Sequence, residues 1–368
     1  MSYPRLKIDL DIIESNAREI TGLGKKQNIE VFGVIKAVTG IAEVGRAMLE
    51  GGCTGLASSR INHLAGLRDK GIKVPLMLVR IPMKSEVKKV VECCDISLHS
   101  EFTLLQTFND TAVSMNKKHG VILMADIGDL REGFWSFDEL LESAQFAEEA
   151  EGLELLGIGT NVGCYGSVVP TKEKLEELVI LAEKIEEVIG RRLKYISGGA
   201  TSSVARLLDG DMPERINMLR IGEGILFGND LVKGYGYEMP YINNEAFVLE
   251  AEVVEVKKKP SHPIGSLAFD AFGRKPKYED KGIRKRALVA VGKADYADES
   301  RLMPRNKNIV VVGASSDHTI LDVTDLQEDI KVGDIIEFVL DYQGVLYATN
   351  AEDVERVMLG DNTYVTKK

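Results

Sequence analysis

Short apolar runs alternate with segments in which apolar residues recur every three or four positions, and this change of period repeats along the first two thirds of the chain. The runs at 31–37, 55–59, 75–81, 95–99, 121–127, 153–160, 194–197 and 217–222 read as eight buried strands. Between most of them the period is helical. Residues 137–150 (FDELLESAQFAEEA) form one such stretch, with Ser136 as N-cap and Glu139 three residues on, a capping-box spacing. Residues 171–190 form another, which Gly190 ends. Eight strand–helix alternations predict an α/β fold built on a (β/α)8 TIM-type barrel, with a doubly wound open sheet as the competing topology.

Around 232–242 (VKGYGYEMPYI) glycine, proline and tyrosine cluster and the alternation stops. Beyond that point the runs at 246–256, 287–291, 308–312, 319–323 and 334–340 are short, β-rich and separated by turn residues, which predicts a C-terminal all-β domain. An opening strand at 7–10 precedes the first barrel strand and could join either domain. The expected division is a barrel over 9–238 and a β-strand domain over 239–368, with 1–8 added to it.

Composition narrows the class without choosing a function. The chain has 368 residues, 44% hydrophobic and 28% charged, which suits a folded protein of about two domains at roughly 150 residues each. Its net charge of −11 is spread along the sequence and disfavours a nucleic-acid or anionic-membrane surface. No apolar run reaches the ~18 residues that span a bilayer, and the first residues carry no signal-peptide core, so a cytoplasmic location is expected. Cys53, Cys93, Cys94 and Cys164 form no C-x-x-C and read as buried free thiols, with no disulfide framework and no metal site.

A barrel collects its chemistry at the C-terminal ends of its strands. The first strand ends in Gly33-Val34-Ile35-Lys36-Ala37, where burial would lower a lysine's pKa and suit it to attack an aldehyde; a lysine that snorkels to solvent is the alternative. The seventh ends in the 197–203 segment SGGATSS before a helix, a set of glycines, hydroxyls and helix N-terminal amides fit for a phosphate monoester, or simply for a Ser/Thr N-cap. The eighth ends in Leu219-Arg220-Ile221-Gly222-Glu223-Gly224; Gly228 lies one residue too far on for G-x-G-x-x-G, so a dinucleotide fingerprint is not met. Barrel closure brings these three strand ends together. A lysine, a phosphate cradle and an inward arginine jointly suggest pyridoxal 5′-phosphate (PLP).

On these residues, together with Lys7-Ile8-Asp9-Leu10-Asp11 and the 313–325 segment GASSDHTILDVTD, the chain resembles the alanine racemase-type (fold-type III) PLP family, and most of all its ornithine racemases. The resemblance implies a cytoplasmic homodimer with shared sites that racemises a free amino acid. It implies that Lys36 bonds PLP, that Arg220 faces the pyridine nitrogen and Asn161 the ring, and that Thr201, Ser202, Gly222 and Glu223 hold the phosphate. Arg131, Asp317 and His318 would meet substrate. Three family residues differ: no tyrosine follows Lys36, Met124 stands where a carbamylated lysine is common, and Phe272 stands where alanine racemases carry a second-base tyrosine. Asp270, His318 and Lys293 are candidates for that second acid/base. The lost tyrosines widen the pocket, and Asp270 could receive a distal ammonium, so ornithine, or lysine, is expected over alanine. A non-catalytic PLP-binding homeostasis protein and a D-threonine aldolase-like lyase are the rival readings. The remaining histidines read as core or surface, and Trp135 as core or interface.

Overall fold

A computed structural model describes residues 2–360 except Ala271 and Pro276. It separates into two compact units, Leu10–Asn244 and Glu245–Leu359, the latter joined by the N-terminal segment through Asp9. After the opening strand β1 (Arg5–Asp9), the first unit contains β2 (Glu30–Val34), β3 (Gly55–Ser58), β4 (Leu76–Leu78), β5 (Ile96–His99), β6 (His119–Met124), β7 (Leu153–Gly159), β8 (Tyr195–Ser197) and β9 (Met218–Ile221). These eight pair in parallel and close, β9 returning to β2 through Glu30↔Met218 and Phe32↔Arg220. All eight runs expected from the sequence are strands, and six of them stop one to three residues short where the chain turns into the mouth.

The barrel is filled, as a closed parallel sheet must be, by apolar side chains from successive strands: Phe32, Val34, Met77, Leu98, Ile122, Met124 and Met218 belong to one buried cluster. Gly157 marks its tightest point, since a Cβ there would lie 1.9 Å from the Tyr195 carbonyl. The anticipated helices form where their caps stand. Ser136 accepts from the Glu139 amide at the start of Phe137–Glu149, and Thr171 caps Lys172–Ile189, which Gly190 ends at φ +73.

One polar cluster is buried in the shell. Ser97 Oγ lies 2.8 Å from His99 Nε2 and 2.8 Å from His119 Nε2. A serine has one proton, so it donates to one ring and accepts from the other. Among the described residues His99 Nδ1 is buried without a partner, and a bare acceptor is the cheaper orphan, so His99 carries its proton on Nε2 and Ser97 donates to His119.

The second unit comprises β10 (Phe247–Pro260), β11 (Ile283–Val289), β12 (Leu302–Pro304), β13 (Val310–Ala314), β14 (Thr319–Asp322), β15 (Ile335–Leu340) and β16 (Glu355–Leu359), in the order β12-β15-β10-β11-β14-β13. The opening strand β1 belongs here, antiparallel to β10 and parallel to β16. β12 and β16 escape a reading by pattern: β12 has three residues and ends in an edge proline, and β16 is a partly exposed edge. Two short helices, Lys293–Tyr296 and Tyr342–Ala348, interrupt the otherwise all-β unit.

Candidate active site

Lys36 opens a 3-10 turn just after β2. Its ammonium has no hydrogen bond or ion pair among the described residues, and burial, reinforced by Arg131 and Arg220, lowers its pKa against the opposing fields of Cys164 and Glu132. A half-buried amine without a partner is the state a carbonyl-reactive lysine needs at neutral pH.

Arg220 points from β9 into the top of the barrel and is 4% exposed. It donates to Ser197 Oγ and, at 2.7 Å, to the Thr160 carbonyl. Thr160 Oγ1 in turn donates to the Ala125 carbonyl at 2.9 Å, so the ends of β6 through β9 are joined by a polar layer. Gly159 makes room for it, because a Cβ there would stand 3.2 Å from Ser197 Cβ and 3.4 Å from Arg220 Nη1. Burial lowers the Arg220 pKa to about 10, which leaves it cationic at neutral pH with no carboxylate bound to it among the described residues.

The two loops beyond β8 and β9 are tied together. Thr201 Oγ1 accepts from the Gly224 amide at 3.0 Å, Ser203 Oγ donates to the Gly198 carbonyl at 2.6 Å, and Ser202 Oγ donates to the Val162 carbonyl at 2.8 Å. Gly222 packs so close to β2 that a Cβ would lie 2.9 Å from the Val34 carbonyl, two residues from Lys36. Asn16, wholly buried in the first helix, fastens this corner by donating to the Ile225 carbonyl at 2.9 Å and the Asn243 carbonyl at 2.8 Å; nothing in its sequence context distinguishes it from a solvent-facing helical asparagine. The Glu223 carboxylate turns away and accepts from the Asp230 amide at 3.1 Å, while burial raises its pKa to about 7. Asn161 makes no side-chain hydrogen bond among the described residues.

The structure adds Glu132, which the sequence did not single out. The expected substrate residue Arg131 binds it through two nitrogens and reaches Cys164 Sγ at 3.0 Å. Cys164 is therefore not a buried thiol: it is exposed, as Cys53 and Cys94 are not, and Cys93 is intermediate. Trp135 is likewise no core residue at 72% exposed, although Phe134 beside it is buried.

The remaining expected residues lie in the β-strand unit. Asp270 Oδ1 accepts from the Phe272 and Arg274 amides at 2.9 and 2.7 Å, and Oδ2 meets Arg274 Nε at 3.2 Å, so its own turn engages both oxygens; Ala271 within that turn lies outside the described residues. Lys293 is buried, paired with Glu299 at 2.6 Å, and lies 4.5 Å from the centre of the Phe272 ring. Asp317 accepts from the Ser316 hydroxyl in the turn between β13 and β14, and the His318 amide donates to Ser315 Oγ at 3.1 Å.

These residues fit PLP: Lys36 would be the amine for its aldehyde, Arg220 a cation for its ring, and the linked glycine- and hydroxyl-bearing loops would supply donors for its phosphate.

Comparison with known proteins agrees. Residues 8–230 match the family described as alanine racemase, N-terminal domain. The chain is 40% identical to an ornithine racemase of Acetoanaerobium sticklandii, covering 97% of this chain and 100% of that protein. It is also 40% identical to a lysine racemase of Thermotoga maritima, covering 97% and 99%, and 27% identical to an alanine racemase of Methanococcus maripaludis, covering 90% and 87%. The crystal structure of an alanine racemase from Streptomyces lavendulae superposes with a TM-score of 0.78 at 18% identity over 98% of both chains. A D-threonine aldolase from Filomicrobium marinum does so at 0.73 and 15% identity, covering 97% of this chain and 92% of that one, so the fold alone does not choose the reaction. The full-length racemase relatives do, and the chain belongs to the alanine racemase family of PLP-dependent amino-acid racemases.

Proposed function

We propose that this protein interconverts the enantiomers of a free basic amino acid, ornithine or lysine. The observation that carries the reading is Lys36, a partnerless and desolvated amine at a barrel-strand end beside a buried arginine and a double loop cradle. The choice of a basic substrate is supported by the 40% relatives, which act on ornithine and lysine, against 27% for the alanine racemase.

When bound, PLP supplies an aldehyde for the substrate amine and an acceptor for the electrons left at Cα. The protein's part is to hold and move one proton. Lys36 Nζ takes or returns the Cα proton on its own face, and a second group serves the opposite face, so the configuration inverts with no net change in composition or oxidation state. Arg220 has only donors and keeps its charge, and it favours a ring nitrogen without a proton. Loops 197–203 and 222–224 would hold the phosphate through backbone amides and the Thr201 and Ser202 hydroxyls.

The test is enantiomer interconversion followed by chiral chromatography. The expected result is a kcat/KM for ornithine or lysine at least tenfold above that for alanine, and alanine as the better substrate would overturn the assignment.

Two further parts belong to this reading. The four free thiols suit a reducing compartment, in keeping with action in the cytoplasm. The protein acts as a homodimer in which the turn bearing Asp317 and His318 serves the partner's site. Mixing Lys36→Ala with Asp317→Ala protein should restore part of the activity as heterodimers form with one unaltered site. No recovery after verified subunit exchange would count against shared sites.

A further inference from the structure

The loop after β6 is strapped to the barrel rim. The Phe134 amide donates to the Met124 carbonyl at 2.7 Å and the Asp126 amide to the Phe134 carbonyl at 3.1 Å. Asp126 Oδ1 accepts from the Gly128 and Leu130 amides at 2.8 and 3.2 Å. Gly133 closes the strap at φ +143, where a Cβ would lie 2.3 Å from the Asp126 nitrogen, so only glycine fits. This holds Arg131 and Glu132 at the mouth. The Glu132 side chain is 18% exposed and is bound by Arg131 through two nitrogens. The field of Glu132 also bears on both Lys36 and Arg220. Asp129, at the root of the loop, accepts through Oδ1 from the amides of Gly163, Cys164 and Val168, which fixes its side chain 2% exposed beneath the loop, with Oδ2 buried and unpartnered among the described residues.

Resting on the basic-amino-acid reading above, we infer that Glu132 is the specificity-determining residue that receives the distal ammonium of the substrate, with Arg131 released to its carboxylate. The chemistry is an exchange of pairs. A diamino acid brings one carboxylate and one distal ammonium, and these replace the Arg131–Glu132 pair by two new pairs with no charge left over. An amino acid with an apolar side chain also draws Arg131 away, but it leaves Glu132 half-buried and unpaired. The site thus rejects such a substrate by what it strands as well as by what it lacks.

The test compares kcat/KM for ornithine and for norvaline, whose chain has the same length and ends in a methyl group. In Glu132→Gln the ornithine-to-norvaline ratio should fall at least about thirtyfold, the lower end for losing one partner of a desolvated charge pair. A ratio within about threefold of wild type overturns the inference. Glu132→Asp retracts the carboxylate by one methylene and should raise the lysine-to-ornithine ratio, because lysine is one methylene longer; a ratio that stays or falls counts against the role. A wild-type enzyme that prefers norvaline or alanine would sink the basic-substrate reading itself. A wild-type preference for ornithine that survives in Glu132→Gln sinks only the residue.

Discussion

Lys36→Ala is expected to lower racemisation in both directions by at least about 10²–10⁴-fold, the worth of one positioned acid/base group, with the loss of the covalent anchor added. Lys36 lies just beyond the end of β2 with no competing partner among the described residues, and its pKa is lowered first by burial and then by Arg131 and Arg220. The remedy for losing a proton carrier is another amine, so an added small primary amine should restore part of the rate in Lys36→Ala. Borohydride reduction of the loaded wild type should fix PLP to the peptide that contains Lys36 and to no other. A variant that keeps a tenth of wild-type activity, or an adduct mapped to another lysine, would refute the assignment.

The buried His99–Ser97–His119 cluster is expected to make the barrel acid-sensitive. Burial lowers the pKa of His99 to about 3 and that of His119 to about 4, whereas an unfolded histidine titrates near 6.5. Groups with depressed folded-state values bind fewer protons when folded, so their full contribution is present above pH 6.5 and is lost as pH falls toward 4. By pH 5 each histidine has lost about 2 kcal/mol, from 1.5 units at about 1.4 kcal/mol per unit. Glu223 works in the opposite sense, since burial raises its pKa to about 7 and acidification favours its folded form. The measurement is therefore a comparison: unfolding free energy by urea at pH 7 and pH 5 for the wild type and for His99→Asn/His119→Gln. The wild type should lose on the order of 4 kcal/mol more than the double variant across that interval. Equal slopes would mean that the histidines are not held neutral.

The barrel was legible because its signal is local. Each strand is an apolar run that cannot lie at the surface, and each helix carries its own stop or start, as Ser136, Thr171 and Gly190 do. Lys36, Arg220 and the 197–203 and 219–224 segments could be placed at one end because parallel strands all deliver their C-termini to the same face. The sequence alone therefore determined the fold class, the place of Lys36 just beyond a barrel strand and the family. Long-range backbone geometry decided what pattern could not. β16 is too polar to read as a strand until β1 pairs with it, and Asn16 is a helical asparagine until the chain returns at Ile225 and Asn243. The same holds for charge. Asp270 and Glu132 are both carboxylates beside glycine-containing turns, and only folding turns one onto its own amides and Arg274 while a strap at Gly133 holds the other in the field of Lys36 and Arg220. Hydrophobic period is written into neighbouring residues, whereas the partner of a charge is chosen by whichever distant segment the fold brings beside it.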